Sequence, residues 1–290
     1  MNVHQHNLRM ERIQHRIFWL SAALLIGLGL AIWGTLAVGA AQFVLHHGLN
    51  RTLLGVDYNP TRGQFGLLPF FMGSVSVTML ALALAYPLSL SVAAVTVLMG
   101  KRAWLAPVRQ GMGALVAIPS VIFGWWGLSA VVPLIRQVSG SSGFSLLAAG
   151  LVLALMILPT LSLLTINAFA RVPERWIDGS LALGATPDQT LGRLVLRSVK
   201  APLIEAGIVA VGRALGETMA VQMVIGGQTL LPHGLLSPAA TLTTELLSDI
   251  SLLPPGVEGH HVLDFMALSL LLIMYGLVLL VERIRGRAEV

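Results

Sequence analysis

The segment FSLLAAGLVLALMILPTLSLLTINAFA, residues 144–170, contains no Asp, Glu, Lys or Arg. At 1.5 Å of rise per residue, a helix of this length outreaches the ~30 Å hydrocarbon core of a bilayer. Long apolar segments with few or no charges occur five more times, at Ile17–Val44, Leu67–Met99, Val108–Ile135, Leu203–Gly226 and Val262–Val281. The composition agrees: 56% of residues are hydrophobic and 11% charged, with a mean hydropathy of +0.82. Soluble domains carry roughly 25% charged residues. The chain therefore reads as an all-α polytopic membrane protein with six transmembrane helices. Its first span is too long for the apolar region of a secretory signal, about 7–15 residues, and reads as a retained anchor. Pro87, Pro119, Pro133 and Pro159 fall inside spans, where each predicts a kink. Trp125 and Trp126 read as interface anchors or as part of an outer gate.

The Lys and Arg residues set the orientation. Fourteen of the eighteen fall in the N-terminal tail, the second loop, the fourth loop and the C-terminal tail. Arg51, Arg62 and Arg136 lie on the other side, and Arg213 lies within the fifth span. The positive-inside rule then puts both termini in the cytoplasm. The net charge of +5 is thus a matter of topology and implies no nucleic-acid partner. There is no cysteine, and the histidines form no HExxH-like pair, so no metal site is read. Neither lysine, Lys101 or Lys200, follows a GxxxxGK[ST] pattern, so the chain has no ATPase site of its own. Three units follow: 1–66 with the tail, first span and outer loop; 67–282 as the main transmembrane domain; and 283–290 as a short basic tail.

Two loops stand out. The cytoplasmic loop 171–201 carries Pro173 and Glu174 at a helix start and Gly184 at a stop. Thr186-Pro187-Asp188-Gln189 then reads as a second start. Two short helices with a turn at Gly184 are expected. The outer loop, about 227–261, has no Lys or Arg but contains Glu245, Asp249 and Glu258. Leu242, Leu246 and Ile250 recur every four residues, which predicts a short amphipathic helix lying on the outer face.

The fifth span contains Gly212-Arg213-Ala214-Leu215-Gly216-Glu217. A charge at mid-bilayer depth costs about 2.5–3.5 kcal/mol on insertion scales, and arginine cannot escape by losing its proton. In a continuous helix, residues four apart share a face, so Arg213 and Glu217 are expected to pair. Their face would meet a polar partner or a water-filled path. Arg213 offers a planar fork suited to an oxyanion, and Glu217 would neutralise it when the site is empty. The alternative is an ion pair that fastens two helices. Gly212 and Gly216 form a GxxxG that would admit the backbone of another helix.

The loop Asp178-Gly179-Ser180, then Gly184, then Leu194-Val195-Leu196-Arg197, resembles the coupling loop of ABC-importer permeases. The family pattern is Glu-Ala-Ala, three residues, Gly, nine residues, Ile-x-Leu-Pro. The glycine and spacing match, while Asp replaces Glu, Gly-Ser replaces Ala-Ala and Arg replaces Pro. The run from Gly212 to Val221, the run Ile118–Gly127, Asn59-Pro60 with Phe65-Gly66, and the run Ser237–Thr243 resemble the PstC-type permeases of phosphate importers. The resemblance implies a type I ABC importer transmembrane domain in the bacterial inner membrane. It implies that Asp178, Gly179, Ser180 and Gly184 dock on an ATPase subunit dimer, which binds ATP and Mg. It also implies a second, PstA-type permease chain and an extracytoplasmic phosphate-binding protein. Permeases for sulfate, molybdate or phosphonate share the loop. A secondary transporter would show inverted repeats, and none is evident. A membrane-embedded enzyme would need a catalytic cluster, and none is found.

Overall fold

The computed structural model describes residues 3–96, 105–255 and 259–288. Helix α1 (Val3–His47) runs unbroken through its span and ends at Gly48, whose φ of 81° suits only glycine well. A short helix, α2 (Leu49–Leu54), leads to a hairpin of β1 (Tyr58–Asn59) and β2 (Gln64–Phe65), with Tyr58 opposite Phe65. Next come α3 (Leu68–Ala94), α4 (Leu105–Val116), α5 (Ser120–Trp126) and α6 (Val132–Ser139). Helix α7 (Leu146–Phe169) follows, capped by Ser145, whose hydroxyl accepts from the Ala148 N–H. The cytoplasmic loop folds into α8 (Glu174–Ala182), α9 (Pro187–Gln189) and α10 (Leu196–Ser198). Helices α11 (Lys200–Leu215) and α12 (Met219–Ile225) form the fifth crossing, α13 (Leu242–Asp249) caps the outer side, and α14 (His261–Ala288) completes the bundle. The expected end of the second span at Met99, with Lys101, Arg102 and Glu258, lies outside the described residues.

Five helices cross the membrane by length and composition, and α11 with α12 makes a sixth crossing. Two crossings differ from the sequence reading. The third was expected from Val108 to Ile135 as one helix. It instead breaks at 117–119, and the crossing is Ser120–Ser139. Pro119 explains the break. It has no N–H to give, and its ring pushes Ile118 out of helical geometry. The chain tightens there, with Ala117 donating to the Ala114 carbonyl and Ile118 to that of Leu115. Pro133 acts differently: the preceding turn, Gly127–Val131, widens to a π-turn, and Val132 donates to the Gly127 carbonyl. Pro87 and Pro159 sit inside unbroken helices. The second difference is the fifth crossing, expected to be continuous over Leu203–Gly226, which bends by 66° between α11 and α12.

Three apolar clusters stack along the membrane normal. The central one gathers Ala81, Leu153, Ile157, Ala210 and Val224 around α7. The outer one joins Phe43, Phe65, Phe70, Leu242 and Met266, so α1, the hairpin, α3, α13 and α14 meet there. The inner one joins Phe169, Ile177, Val195, Val199 and Leu203. Without a hydrophobic force between spans, close packing of small residues must hold the bundle. A Cβ on Gly124 would lie 2.8 Å from the Ala220 Cα, so α5 and α12 cross backbone to backbone. A Cβ on Gly73 would lie 2.1 Å from the Ala240 carbonyl oxygen, which fixes α3 against the strand leading to α13.

Gly124→Leu is expected to lower stability by about 1–3 kcal/mol through overpacking. Gly113→Ala, at a glycine with nothing within 4 Å of its would-be Cβ, should be neutral. Melting midpoints of the two variants in detergent check the difference.

Candidate functional site

The cytoplasmic loop folds as the sequence predicts, in two helices about a turn at Gly184. Helix α8 ends in a Schellman motif: Gly184, at φ 87°, donates to the Leu181 carbonyl, and Ala185 donates to that of Ser180. The second helix opens with a full capping box. The Thr186 hydroxyl accepts from the Gln189 N–H, and the Gln189 side chain accepts from the Thr186 N–H. Pro173 is the cap of α8 rather than a residue of its first turn. Ile177 anchors α8 in the inner cluster, and the Ser180 and Thr190 hydroxyls lie 3.0 Å apart. The opposite face carries Asp178, Gly179, Trp176, Leu181 and Leu183, all exposed, with Leu183 90% exposed. A Cβ on Gly179 would have nothing within 4 Å among the described residues.

The central site departs from expectation. Arg213 and Glu217 do not share a helix face and form no ion pair, because the helix stops at Leu215. Glu217 caps α12 instead: its carboxylate accepts from the Ala220 N–H at 3.1 Å. Its carbonyl accepts from the Thr243 hydroxyl at 3.2 Å. Two backbone groups at the break are thus met by the chain's own side chains. Arg213 lies in the last turn of α11 with its Nε buried and, among the described residues, without a hydrogen-bond partner. An unmet buried donor on a charged group costs more than the ~1–3 kcal/mol of a neutral one, so this nitrogen is a strong demand for an acceptor. Among the described residues of this chain the GxxxG admits no other helix backbone: Gly212 meets the Met274 and Leu277 side chains, and Gly216 is exposed. The backbone-to-backbone contacts of this region are at Gly124 and Gly73.

Sequence reasoning missed the hydroxyls around the break. Ser74 and Thr78 of α3, with Thr241 and Thr243 before and within α13, line a pocket of about 10 Å³ that Glu217 also lines. That volume holds a single water. Ser74 accepts from the Leu242 N–H at 2.9 Å, so α3, α13 and the break are tied together. Their signals were Ser74-x-x-x-Thr78 on one helix face and the Thr-rich run 241–244.

The outer helix forms, but with its acidic face inward. Leu242 is buried as expected, whereas Ile250 is exposed, and Glu245 and Asp249 are buried. The Tyr58 hydroxyl donates to Asp249, which ties the hairpin to α13. Burial, and then the nearby Asp249 charge, push the Glu245 carboxyl up to about 7. Burial also raises Asp249, against the Tyr58 hydrogen bond, which lowers it. Burial first, and then the bond to Asp249, push the Tyr58 hydroxyl up. Between the ordinary carboxylate range and about pH 7, the folded chain holds a proton on Glu245 that the unfolded chain has lost. Stability from this group is therefore full at low pH and is lost as pH rises towards 7. Glu245→Gln should flatten that fall and raise the pH 8 melting midpoint by the equivalent of about 1–3 kcal/mol, with little effect at pH 5. Melting curves at both pH values check this.

Residues 17–289 match the family described as binding-protein-dependent transport system inner membrane component. A probable ABC transporter permease protein, YqgH, of Bacillus subtilis is 35% identical over 98% of this chain and 94% of its own length. The phosphate transport system permease protein PstC of Pasteurella multocida is 29% identical over 81% of this chain and 77% of its own. A probable PstC of Methanocaldococcus jannaschii is 29% identical over 64% of each. In fold, the chain resembles a subunit of the inward-facing MetNI methionine ABC transporter, with a TM-score of 0.59 and 18% identity over 80% of this chain and 99% of that one. With six crossings, a capped cytoplasmic helix pair and a broken fifth crossing, the chain belongs to the family of inner-membrane permease components of binding-protein-dependent transport systems.

Proposed function

We propose that this chain is a permease subunit of an ATP-driven importer of inorganic phosphate, and that it encloses the translocation path with a second permease chain. The break in the fifth crossing carries the reading. Within the hydrocarbon, backbone that leaves the helix is tolerated only where protein covers it or water fills a cavity beside it. Gly216 and Met219 are exposed at this break. They therefore face a second permease chain or the path itself. Arg213, with its unmet Nε, sits at the same place and supplies the charge an oxyanion needs. Glu217 keeps the break in shape rather than neutralising Arg213.

Phosphate is favoured over sulfate, molybdate or phosphonate by the relatives named PstC. The second chain would be of the PstA type. ATP and Mg would be held by an ATPase subunit dimer, and an extracytoplasmic phosphate-binding protein would deliver the ion. The exposed face of α8 is the docking surface for the ATPase, with Asp178, Gly179, Ser180 and Gly184 defining its edge and turn. Gly179 needs no small side chain for the fold of this chain, which supports an outside partner there. Ile177 of α8 and Leu203 of α11 share the inner cluster. Helix α11, 16 residues long and so about 24 Å, then runs as a rod from that cluster to the break. A push on α8 would thus reach Arg213 without passing through a loop.

Uptake into proteoliposomes that contain the complete importer tests this. Arg213→Gln should cut labelled phosphate uptake at least 100-fold while ATP hydrolysis persists. Leu183→Asp, at an exposed position, should lower ATPase association and uptake together without changing the melting midpoint. Normal phosphate uptake by Arg213→Gln, or preference for sulfate in the unmutated protein, would contradict the reading.

A further inference from the structure

A second polar cavity, of about 230 Å³, opens at the far end of α1, on the outer side of the membrane and apart from the helix break. It is lined by His46, His47, Arg51 and Asp57 and by the glycines Gly55 and Gly66. Gly55 and Gly66 press together there: a Cβ on Gly66 would lie 2.5 Å from the Gly55 carbonyl carbon, and one on Gly55 would lie 2.8 Å from the Gly66 Cα. Any side chain at either position would clash with the facing backbone, so the cradle requires both glycines. Buried Thr52 supports it from below, its carbonyl accepting from the Leu67 N–H at 2.8 Å.

Both histidines are tied to the backbone of α1 through one ring nitrogen. A carbonyl can only accept, so each Nδ1 next to one carries the hydrogen. His46 Nδ1 donates to the Gln42 carbonyl at 2.7 Å, and His47 Nδ1 donates to the Phe43 carbonyl at 3.3 Å. The His47 ring is fixed further by stacking on Phe43 at 4.5 Å and by the Phe65 ring, edge-on at 4.9 Å. With Nδ1 occupied, the neutral form of each imidazole has Nε2 left as an acceptor. Among the described residues Arg51 forms no ion pair and keeps its donor fork free. The cavity thus combines a permanent cation with two imidazole Nε2 atoms, which accept hydrogen bonds when the rings are neutral, next to one carboxylate, Asp57.

We infer that this cavity binds a phosphoryl anion that still carries a hydrogen. Arg51 takes two of its oxygens, and a histidine Nε2 accepts its P–OH. Hydrogen phosphate ions fit this description, and so does the monoester headgroup of phosphatidic acid. Sulfate and phosphodiester headgroups carry no such hydrogen near neutral pH, so the histidines would repel their oxygen lone pairs. Both sources are available at this place, because α1 is exposed to lipid along its span and its outer end lies at headgroup level. The inference rests on the orientation of the bundle and not on the role proposed for Arg213.

The test uses the full chain in phosphatidylcholine nanodiscs with the Arg213→Gln change present throughout, so that the break contributes no binding. Labelled inorganic phosphate should bind at pH 7.5, and sulfate at tenfold excess should displace less than a fifth of it. Adding Arg51→Gln should weaken binding at least tenfold. That side chain is exposed and makes no hydrogen bond, so the variant should keep its melting midpoint. If doping the discs with phosphatidic acid displaces the label, the headgroup is the resident ligand; if it does not, the free ion is. Undiminished binding in the Arg51→Gln chain, or equal displacement by sulfate, would overturn the inference.

Discussion

The hydrogen bonds that close the break at 216–218 govern this structure. A helix that stops at Leu215 and restarts at Met219 frees backbone groups at a depth where no lipid atom can meet them. The chain answers with two side chains. The Glu217 carboxylate caps the new helix, and the Thr243 hydroxyl, from the outer loop, covers the Glu217 carbonyl. This spends the acid on the backbone and leaves Arg213 without its expected partner. An arginine nitrogen with no acceptor among the described residues, beside a bend of 66°, is a poor structural fastener, and this is what the proposed role in ion passage rests on.

The rest of the bundle is arranged around that break. Its outer flank is pinned by Gly73 against Ala240, by Ser74 on the Leu242 N–H, and by Gly124 against Ala220. Helix α13 extends the connection outward: Gln222 donates to Ser248 at 3.2 Å, and Tyr58 donates to Asp249. Inward, α11 runs down to the cluster shared with α8. One continuous set of contacts therefore joins the outer hairpin, the charged break and the exposed cytoplasmic helix. Coupling by movement of rigid parts needs such a chain of contacts, with a joint at one place.

The features legible in the sequence were those fixed by lipid or by local chemistry. Lipid demands long apolar helices, so the spans are visible from composition, and the placement of Lys and Arg orients them. The turn at Gly184 and the box from Thr186 to Gln189 are each built from residues within five positions of one another, so they too could be read. The break could not. Gly212 to Gly216 in an apolar run looks like uninterrupted helix, and the hydroxyl that stabilises the alternative lies 26 positions away. Arg213 and Glu217 were both found, but their relation was not, because pairing assumed an intact turn between them. The inward acids of α13 were misread for a similar reason. Their partner, Tyr58, is 191 positions from Asp249, and periodicity within eight residues cannot tell which face a distant tyrosine will cover. Pro119 was noticed as a kink, although it ends one helix and starts the next.

The claim that the break faces water or a second protein chain, and not lipid, can be measured directly. The chain has no cysteine, so a single one at Thr218 reports only that site. In the assembled transporter, Thr218→Cys should react with a small membrane-impermeant thiol reagent and escape quenching by lipid-borne spin labels, while Leu25→Cys, on the exposed middle of α1, should do the reverse. A Thr218→Cys site that is inert to the aqueous reagent and strongly quenched from the lipid would contradict the account.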